Sequence, residues 1–470
     1  MISFRKKAKV APLDPEGRRV LGATLESGEP ILAPKGHSLL LSANGGGKTT
    51  RGAMPWLFSL AVSESDKAFL GFDSKNGELA IQAAITLAQL GRKVAVIDDM
   101  GVWPQLEPYR VSLNAFGASV ATFKRDSRDV IFSNESITNA LIPEPKDDAK
   151  NRYWRAWPRN LIEFLINLLL KRDPALATPG GCASVLNDSD MLQGFAKIEA
   201  EEGDGALKTQ AQAILDMQGY EHWPQHHEEA LRSLRLFGPG TRLHEAGREA
   251  ELTHEDLIRE GYCIFLVGPQ ANMTRLGSYY ALHILAFCSA LYNRAGSLRV
   301  IADEFTNCPL KSLVESLTTL RAFGGEVHMI AQSRSEIVRK FGEQETRTIE
   351  ENAIVKQWFG FSSFEEAERV SKAMGEQHAV ASSLGSDSVS TKTQTNLSLT
   401  KQRWKSPSEL MAMPPTEQLI HIKGVGFFVA ATLSQQNFAP YCDLLADNPL
   451  EGGRLEPDPK ITLVTPEVAP

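Results

Sequence analysis

The sequence predicts an α/β fold in which a mainly parallel central sheet is interrupted by an inserted all-α domain. A glycine-rich turn near residue 45 joins a short apolar run to a helical stretch. Further apolar runs alternate with helical patterns, whereas residues 121–240 contain helical patterns alone. Alternating strands and helices are typical of a doubly wound parallel sheet. A chain of 470 residues also exceeds what one compact core usually supports, so we expect two domains.

The predicted strands are short apolar runs bounded by turn residues or charges. In the first part of the chain they lie at 19–23, 30–32, 38–41, 68–72 and 93–97, with a helix at 78–90. After the helical region they resume at 261–267, 298–302, 326–331, 353–359, 419–422 and 426–433, with a buried helix at 279–292. Residues 381–400 are rich in Ser and Thr and predict a flexible loop or a hairpin.

The inserted domain is predicted from a continuous helical pattern. Its clearest helix covers 148–172, and Pro158 predicts a kink or a break in it. Gly238-Pro239-Gly240 ends the helical pattern. The predicted organisation is an N-terminal extension at 1–35, an α/β domain at 36–120 and 241–447, an all-α domain at 121–240 and a flexible tail at 448–470.

Composition narrows the class of protein. The five cysteines form no C-x-x-C pair, which argues against a disulfide framework or a zinc site and is typical of a reducing compartment. No stretch approaches the roughly 20 apolar residues that span a bilayer, so we expect a cytoplasmic protein. The net charge of −7 means that any contact with nucleic acid must come from a local basic patch.

The strongest chemical signal is the segment Ser42-Ala-Asn-Gly-Gly-Gly-Lys48-Thr49, placed between a predicted strand and a helix. Backbone amides of such a loop form a nest for phosphate oxygens. Lys48 is predicted to reach the β- and γ-phosphates of ATP, and the Thr49 hydroxyl to ligate Mg²⁺. The predicted nucleotide-binding residues are Asn44, Gly45, Gly46, Gly47, Lys48, Thr49 and Thr50. Ser42 stands where the usual pattern has glycine, which leaves open whether turnover is lowered.

Two later strands end in residues suited to the same chemistry. The strand at 298–302 is followed by Asp303 and Glu304, the pattern of a Walker B motif. Asp303 is predicted to hold Mg²⁺, and Glu304 to activate the attacking water as general base. The next strand is followed by Gln332, which is predicted to sense the γ-phosphate.

An arginine supplied by a neighbouring subunit can stabilise the charge of phosphoryl transfer. The candidates after the Walker B segment are Arg321, Arg334 and Arg339. Arg321 directly precedes the strand that leads to Gln332, so we expect it at the rim of the sheet, where it could face a neighbour.

Together these residues resemble the coupling proteins of type IV secretion, the conjugative TraG/TraD class, which are relatives of the FtsK and HerA translocases. The similar segments are Gly45–Thr50, Phe72–Leu79, Tyr109–Phe116, Ala302–Pro309, Arg321–Gly324 and Ala331–Ser333. The segment Phe72–Leu79 is the looser match, because Ser74 replaces the family's proline and one extra residue intervenes. The resemblance covers about residues 20–445.

The resemblance implies a RecA-like P-loop domain, an all-α domain that faces incoming substrate, and a ring hexamer that moves substrate by hydrolysing ATP. It matches Arg321 to the family's trans-acting arginine. The implied partners are other copies of this chain, with assembly only on DNA or at the channel left open, type IV secretion channel components, and single-stranded DNA with relaxase or protein effectors.

Coupling proteins typically begin with membrane helices, and this sequence contains none. A separate membrane-anchor subunit and a peripheral position at the inner membrane are therefore further expectations. Two alternatives stay open: a nucleotide-switched adaptor with little turnover, and a HerA-like DNA translocase in repair or phage defence.

Overall fold

The fold is taken from a computed structural model that describes residues 18–43, 45–63, 67–73, 75–145, 151–307, 311–385, 394–437, 445–448 and 450. Asn44, nearly all of the predicted tail and the first half of the predicted N-terminal extension lie outside the described residues. Within them, no helix is long and apolar enough to cross a membrane.

Seven strands form the parallel centre of one large sheet. They are β3 (Ser38–Leu41), β4 (Ala68–Asp73), β5 (Val94–Ile97), β6 (Cys263–Val267), β7 (Leu298–Asp303), β8 (Gly325–Ala331) and β9 (Val355–Trp358). Their order across the sheet is β9-β3-β8-β7-β4-β6-β5, and every neighbouring pair is parallel. Every residue of β4 and β7 is buried, as expected for strands covered on both faces. The predicted mainly parallel α/β fold is confirmed.

Four antiparallel strands extend the sheet beyond β9. They are β1 (Val20–Ala23), β2 (Pro30–Leu32), β12 (Glu417–Ile422) and β13 (Gly426–Ala431). The order from β9 outward is β12-β13-β1-β2, so the two ends of the chain meet in one part of the sheet. A separate antiparallel hairpin is formed by β10 (Glu376–Gly385) and β11 (Gln394–Arg403), where the Ser- and Thr-rich segment predicted a loop or hairpin.

The residues from Gly117 to Phe237 that the structure describes form helices and turns only. The helices are α3 (Gly117–Arg125), α4 (Val130–Leu141), α5 (Arg152–Arg172), α6 (Pro179–Asn187), α7 (Ser189–Glu202), α8 (Gly205–Gln218) and α9 (Trp223–Leu234). The long helix α5 is central and contacts α4, α6, α8 and α9. Pro158 lies inside α5, which continues without a break. The predicted interruption does not occur, because Pro158 and the apolar face that follows it are buried against the surrounding helices.

In the part of the chain that the structure describes, nine further α-helices flank the sheet or connect its strands. They are α1 (Met54–Ser63), α2 (Glu78–Gln89), α10 (His254–Arg259), α11 (Gly277–Tyr292), α12 (Lys311–Leu320), α13 (Arg334–Phe341), α14 (Glu343–Asn352), α15 (Phe364–Met374) and α16 (Pro407–Met411). Because β3, β4, β7 and β8 are parallel neighbours, their carboxyl ends meet at one edge of the sheet. Ligands of open parallel sheets bind at this edge.

Candidate nucleotide-binding site

The glycine-rich loop after β3 has a backbone that only glycine accommodates well. Gly45 and Gly47 have φ angles of 75° and 83°, in the left-handed region that disfavours side chains. A Cβ atom on Gly46 would lie 2.2 Å from the Ser42 hydroxyl oxygen. The chain then enters a wide helical turn over Lys48–Ala53, which continues into α1. The loop and the start of this helix therefore form one rigid unit.

This loop borders an open cavity of about 500 Å³ at the carboxyl edge of the sheet. The cavity is lined by Gly45, Gly46, Gly47, Lys48, Thr49, Thr50, Arg51, Lys75, Gln270, Glu304, Gln332 and Pro415. Its volume lies within the range typical of small-molecule sites, roughly 300 to 1,000 Å³. The described loop residues, Glu304 and Gln332 were all predicted to lie at one site, and the structure brings them together here.

Lys48 contacts both the loop and the Walker B segment. Its Nζ atom lies 3.6 Å from Glu304 Oε1 and donates to the Ser42 carbonyl oxygen at 3.4 Å. Both charged side chains are about nine-tenths buried. Glu304 has a φ of 48°, a strained conformation for a residue with a side chain, which costs on the order of 1–3 kcal/mol. Such strain is common where a side chain must be held in a functional position.

Thr49 lies between two carboxylates. Its hydroxyl donates to Asp303 Oδ2 at 3.1 Å and to Glu78 Oε2 at 3.4 Å. Burial, together with the charges of Glu304 and Glu78, raises the pKa of Asp303 to about 7. A site that crowds carboxylates in this way favours a cation.

The oxygens of this cluster fit a magnesium ion. Mg²⁺ prefers hydroxyl and carboxylate oxygens, and it usually takes only one or two protein ligands beside phosphate oxygens and water. Thr49 and Asp303 supply such a pair. The described residues contain no group of three or more His, Cys, Asp or Glu side chains that could hold a metal ion. A bound Mg²⁺ would neutralise charge on the β- and γ-phosphates.

Asp73, Lys75 and Glu78 lie at this edge and were not predicted as site residues from the sequence. Asp73 ends β4 and is paired in register with Asp303 on β7. Burial, and then the charges of Asp303 and Glu78, raise the pKa of Asp73 well above its usual value. Glu78 is fully buried at the start of α2, and its Oε2 atom lies 2.8 Å from Lys75 Nζ. The sequence identifies the segment that contains them only as a looser family resemblance, since Ser74 replaces the family's proline and one extra residue intervenes. It does not reveal that β4 neighbours β7.

Ser42 occupies its position without backbone strain. It is not among the described residues with a positive φ, although it replaces glycine in the usual loop pattern. Its backbone N–H donates to the Ala331 carbonyl oxygen at 3.1 Å, which continues the pairing of β3 with β8. Gln332 follows directly on Ala331 and therefore lies beside the loop.

Arg321 lies at the opposite edge of the sheet from the cavity. It is exposed and forms a turn over Arg321–Phe323, just before β8 begins. Gln332 follows the other end of β8, whose seven residues span about 20 Å. Burial lowers the pKa of His37, which precedes β3, and the charge of Arg321 contributes to this shift, consistent with its position at the same edge. Arg321 therefore does not line the cavity of its own chain.

The other two arginine candidates lie on α13. Arg334 is held by Glu343 at 2.6 Å and by Glu350 at 3.1 Å, and these carboxylates raise its pKa. Arg339 is largely exposed and lies 3.7 Å from Glu336. Neither residue lines the cavity.

Comparisons with known proteins agree with this fold. Residues 297–415 match a family described as the TraM recognition site of TraD and TraG. The unbound bacterial conjugative coupling protein TrwBdeltaN70 is similar over 84% of each chain, with a TM-score of 0.61 and 15% identity. TrwB in complex with ADP and Mg²⁺ has a TM-score of 0.59 and 15% identity over 84% of this chain and 85% of that chain.

VirB4 of Thermoanaerobacter pseudethanolicus is also similar, with a TM-score of 0.51 and 12% identity over 91% of this chain and 98% of that chain. No curated protein sequence matches significantly. The fold is therefore that of RecA-like P-loop proteins with an all-α domain. The family match over residues 297–415 confirms the resemblance to the coupling proteins of type IV secretion.

Proposed function

We propose that this chain is an ATP-hydrolysing motor of the coupling-protein class, which recruits substrate and drives it into a type IV secretion channel. One observation carries the proposal: Lys48 and Glu304 meet at 3.6 Å, and Thr49 and Asp303 meet at 3.1 Å, beside a glycine-rich loop. These four groups are the ones that phosphoryl transfer from a nucleoside triphosphate requires.

Each group has a distinct role in the proposed reaction. Lys48 and the loop amides would hold the β- and γ-phosphates, while Thr49 and Asp303 would hold Mg²⁺. Glu304 would accept a proton from the water that attacks the γ-phosphorus, and the bond to the bridging oxygen of ADP would break. Gln332 lies within reach of the cavity and would respond to the presence of the γ-phosphate.

The arrangement of Arg321 supports catalysis between subunits. Because this arginine lies about 20 Å from the cavity along β8, it would act on the nucleotide of a neighbouring copy. In a ring, the amino edge of each subunit would meet the cavity of the next subunit. Every nucleotide site would then receive one Arg321. We therefore propose the ring hexamer that the family resemblance implies, assembled on its own or only on DNA or at the channel.

The partners follow from the family resemblance. The matched family is described as a TraM recognition site, which supports an accessory protein of the TraM kind as a partner of residues 297–415. We propose that the cargo is single-stranded DNA with relaxase, or protein effectors. The net charge of −7 makes a protein cargo as reasonable as DNA. Channel components and a separate membrane anchor complete the proposed assembly.

The adaptor alternative depended on Ser42, the unusual first position of the loop. The φ angle of Ser42 is not positive, so this position of the loop does not require glycine. The serine therefore gives no reason to expect slower ATP hydrolysis. No observed feature favours the repair or defence alternative over the secretion motor.

The test is steady-state ATP hydrolysis by Lys48→Ala with and without single-stranded DNA. We expect the variant to lose turnover, because the β- and γ-phosphates lose their lysine. The matched control is Lys93→Ala, since Lys93 also pairs with a glutamate, Glu260, but lies at the amino end of β5. Undiminished turnover by Lys48→Ala would refute the site. A wild-type rate near zero that DNA does not raise would favour the adaptor.

A further inference from the structure

We propose that Lys75 is a second phosphate-binding lysine of the nucleotide site and that Glu78 is its positioning residue. The inference rests on the proposed function, because it adds a residue to the same ATP site. Lys75 lines the cavity together with Lys48, on the side formed by the connection between β4 and α2.

The turn that carries Lys75 is tightly packed. Asn76 and Gly77 both have left-handed φ angles, of 55° and 70°. A Cβ on Gly77 would lie 2.8 Å from a methyl carbon of Val267 and 3.0 Å from the Trp103 ring. Asn76 Oδ1 accepts a hydrogen bond from the backbone N–H of Gln270, which is another residue of the cavity wall. Lys75 therefore projects from a fixed backbone.

Glu78 connects Lys75 to the threonine that is predicted to bind magnesium. Its Oε2 atom lies 2.8 Å from Lys75 Nζ and 3.4 Å from Thr49 Oγ1. Its other oxygen, Oε1, accepts a hydrogen bond from Asn448 Nδ2 at 2.5 Å. Glu78 is fully buried, whereas the Lys75 side chain is 29% exposed. The buried carboxylate thus holds the lysine where its ammonium group can meet a ligand in the cavity.

The balance of charges at the site indicates that Lys75 does more than form an ion pair with Glu78. Four carboxylates cluster at this edge, those of Asp73, Glu78, Asp303 and Glu304, and all four are buried. The lysines that line the cavity are Lys48 and Lys75. A triphosphate adds further negative charge, which Mg²⁺ offsets only in part. Besides Lys48 and the Arg51 guanidinium, the Lys75 ammonium group at the cavity wall would offset the repulsion between the phosphates of ATP and these carboxylates.

A purely local role for the pair is the competing explanation. Glu78 lies in the first turn of α2, where a carboxylate stabilises the helix through its dipole. Lys75 would then only neutralise a buried acid. The two explanations differ in whether ligand affinity depends on Lys75 and on the number of phosphates.

The experiment measures equilibrium binding of fluorescent ATP, ADP and AMP analogues in the presence of Mg²⁺ to the full chain. We expect Lys75→Ala to weaken ATP binding about tenfold, since a charge-assisted hydrogen bond is lost. The effect should shrink for ADP and vanish for AMP, and Lys75→Arg should retain most of the affinity. Lys93→Ala is the matched control and should bind ATP as the wild type does.

Glu78→Gln tests the positioning role. We expect this variant to weaken ATP binding, and the double variant with Lys75→Ala to be no weaker than Lys75→Ala alone, because Glu78 acts through the lysine. Fully additive losses would contradict positioning. If Glu78→Gln folds poorly, the Lys75 variants still test whether Lys75 binds phosphate, because the Lys75 side chain is partly exposed.

The outcomes separate this inference from the proposed function. Wild-type ATP affinity in Lys75→Ala, alongside weakened affinity in Lys48→Ala, would overturn the inference and leave the nucleotide site standing. Wild-type affinity in both variants would overturn the nucleotide site itself. A loss in Lys75→Ala that is equal for ATP and AMP would also overturn the inference, because the contact would not be with phosphate.

Discussion

The two edges of the parallel sheet present different functional side chains, although the same strands form both edges. At the carboxyl edge, β3, β4 and β7 end in the glycine-rich loop, in Asp73 and in Asp303 with Glu304, around a cavity. At the amino edge, β8 begins after an exposed turn that contains Arg321. In the proposed function, the first edge binds phosphate and metal, whereas the second edge presents the exposed Arg321.

Under the proposed function, this difference would leave the catalytic site of one chain without its arginine. Arg321, which we propose to act in trans, lies about 20 Å from the cavity along β8. Packing the amino edge of one copy against the carboxyl edge of the next would bring Arg321 of the first copy to the nucleotide cavity of the second. The predictions below are ordered from the largest expected effect to the smallest.

Arg321→Ala should lower the rate of ATP hydrolysis by about 10³- to 10⁵-fold, the range found for arginines supplied in trans. ATP affinity should change little, because Arg321 does not line its own chain's cavity. The measurement combines steady-state hydrolysis with equilibrium nucleotide binding. Arg128→Ala is the matched control, since Arg128 is also exposed but lies just before α4 in the helical region.

Mixing the Arg321→Ala and Lys48→Ala variants tests directly whether the two edges act together across a subunit boundary. Arg321→Ala retains an intact carboxyl edge, and Lys48→Ala retains an intact amino edge. Mixed assemblies should recover part of the activity, because some interfaces combine both intact edges. If the mixture stays as inactive as each variant alone while the assemblies form, Arg321 does not act across a subunit boundary.

Glu304→Gln should lower turnover by about 10²- to 10⁴-fold, the usual contribution of a general base. Binding of ATP should be retained or strengthened, since Lys48 loses the carboxylate that lies 3.6 Å away. Glu260→Gln, which alters an exposed glutamate that pairs with Lys93, is the control. A Glu304→Gln variant that hydrolyses ATP at the wild-type rate would remove this residue from the mechanism.

A pair of buried histidines on two neighbouring helices predicts how acid destabilises the fold. His254 Nε2 and His283 Nδ1 lie 3.0 Å apart on α10 and α11, and the rings of Tyr279 and Phe287 pack against them. Burial lowers the pKa of His283 to about 3, and burial with the nearby His283 lowers the pKa of His254 well below its usual value. The unfolded chain therefore binds more protons than the folded chain between about pH 3 and 6.5, and stability falls on acidification.

Replacing His283 by Asn should remove part of this acid sensitivity. Between pH 7 and pH 5 the wild type should lose about 2 kcal/mol more of its unfolding free energy than His283→Asn does. Urea unfolding at the two pH values measures the difference. His222→Asn is the control, because His222 is exposed. Equal losses in the wild type and His283→Asn would contradict the assignment.

Local motifs made most of the fold and part of the site predictable. The glycine-rich loop and the acidic pair after β7 each carry their pattern within a few residues, and Arg321 could be placed at the rim because it precedes a strand. Strand order is not local. It places Asp73 beside Asp303, so the role of the turn with Lys75 and Glu78 could not be read from the sequence.

Tertiary packing also decided two other features. Pro158 predicted a kink or a break, and the structure has one continuous helix there, with Pro158 and the apolar residues after it buried. Asn448, the first residue of the predicted tail, is buried and donates to Glu78. In both cases distant residues determined the outcome, and the sequence pattern near each position held no sign of them.

The most direct test is an experimental structure of the chain with a non-hydrolysable ATP analogue and Mg²⁺. We predict the γ-phosphate beside Lys48 and Glu304, and the metal ion on the oxygens of Thr49 and Asp303. An analogue bound elsewhere, or a metal ion remote from Thr49 and Asp303, would contradict the motor mechanism.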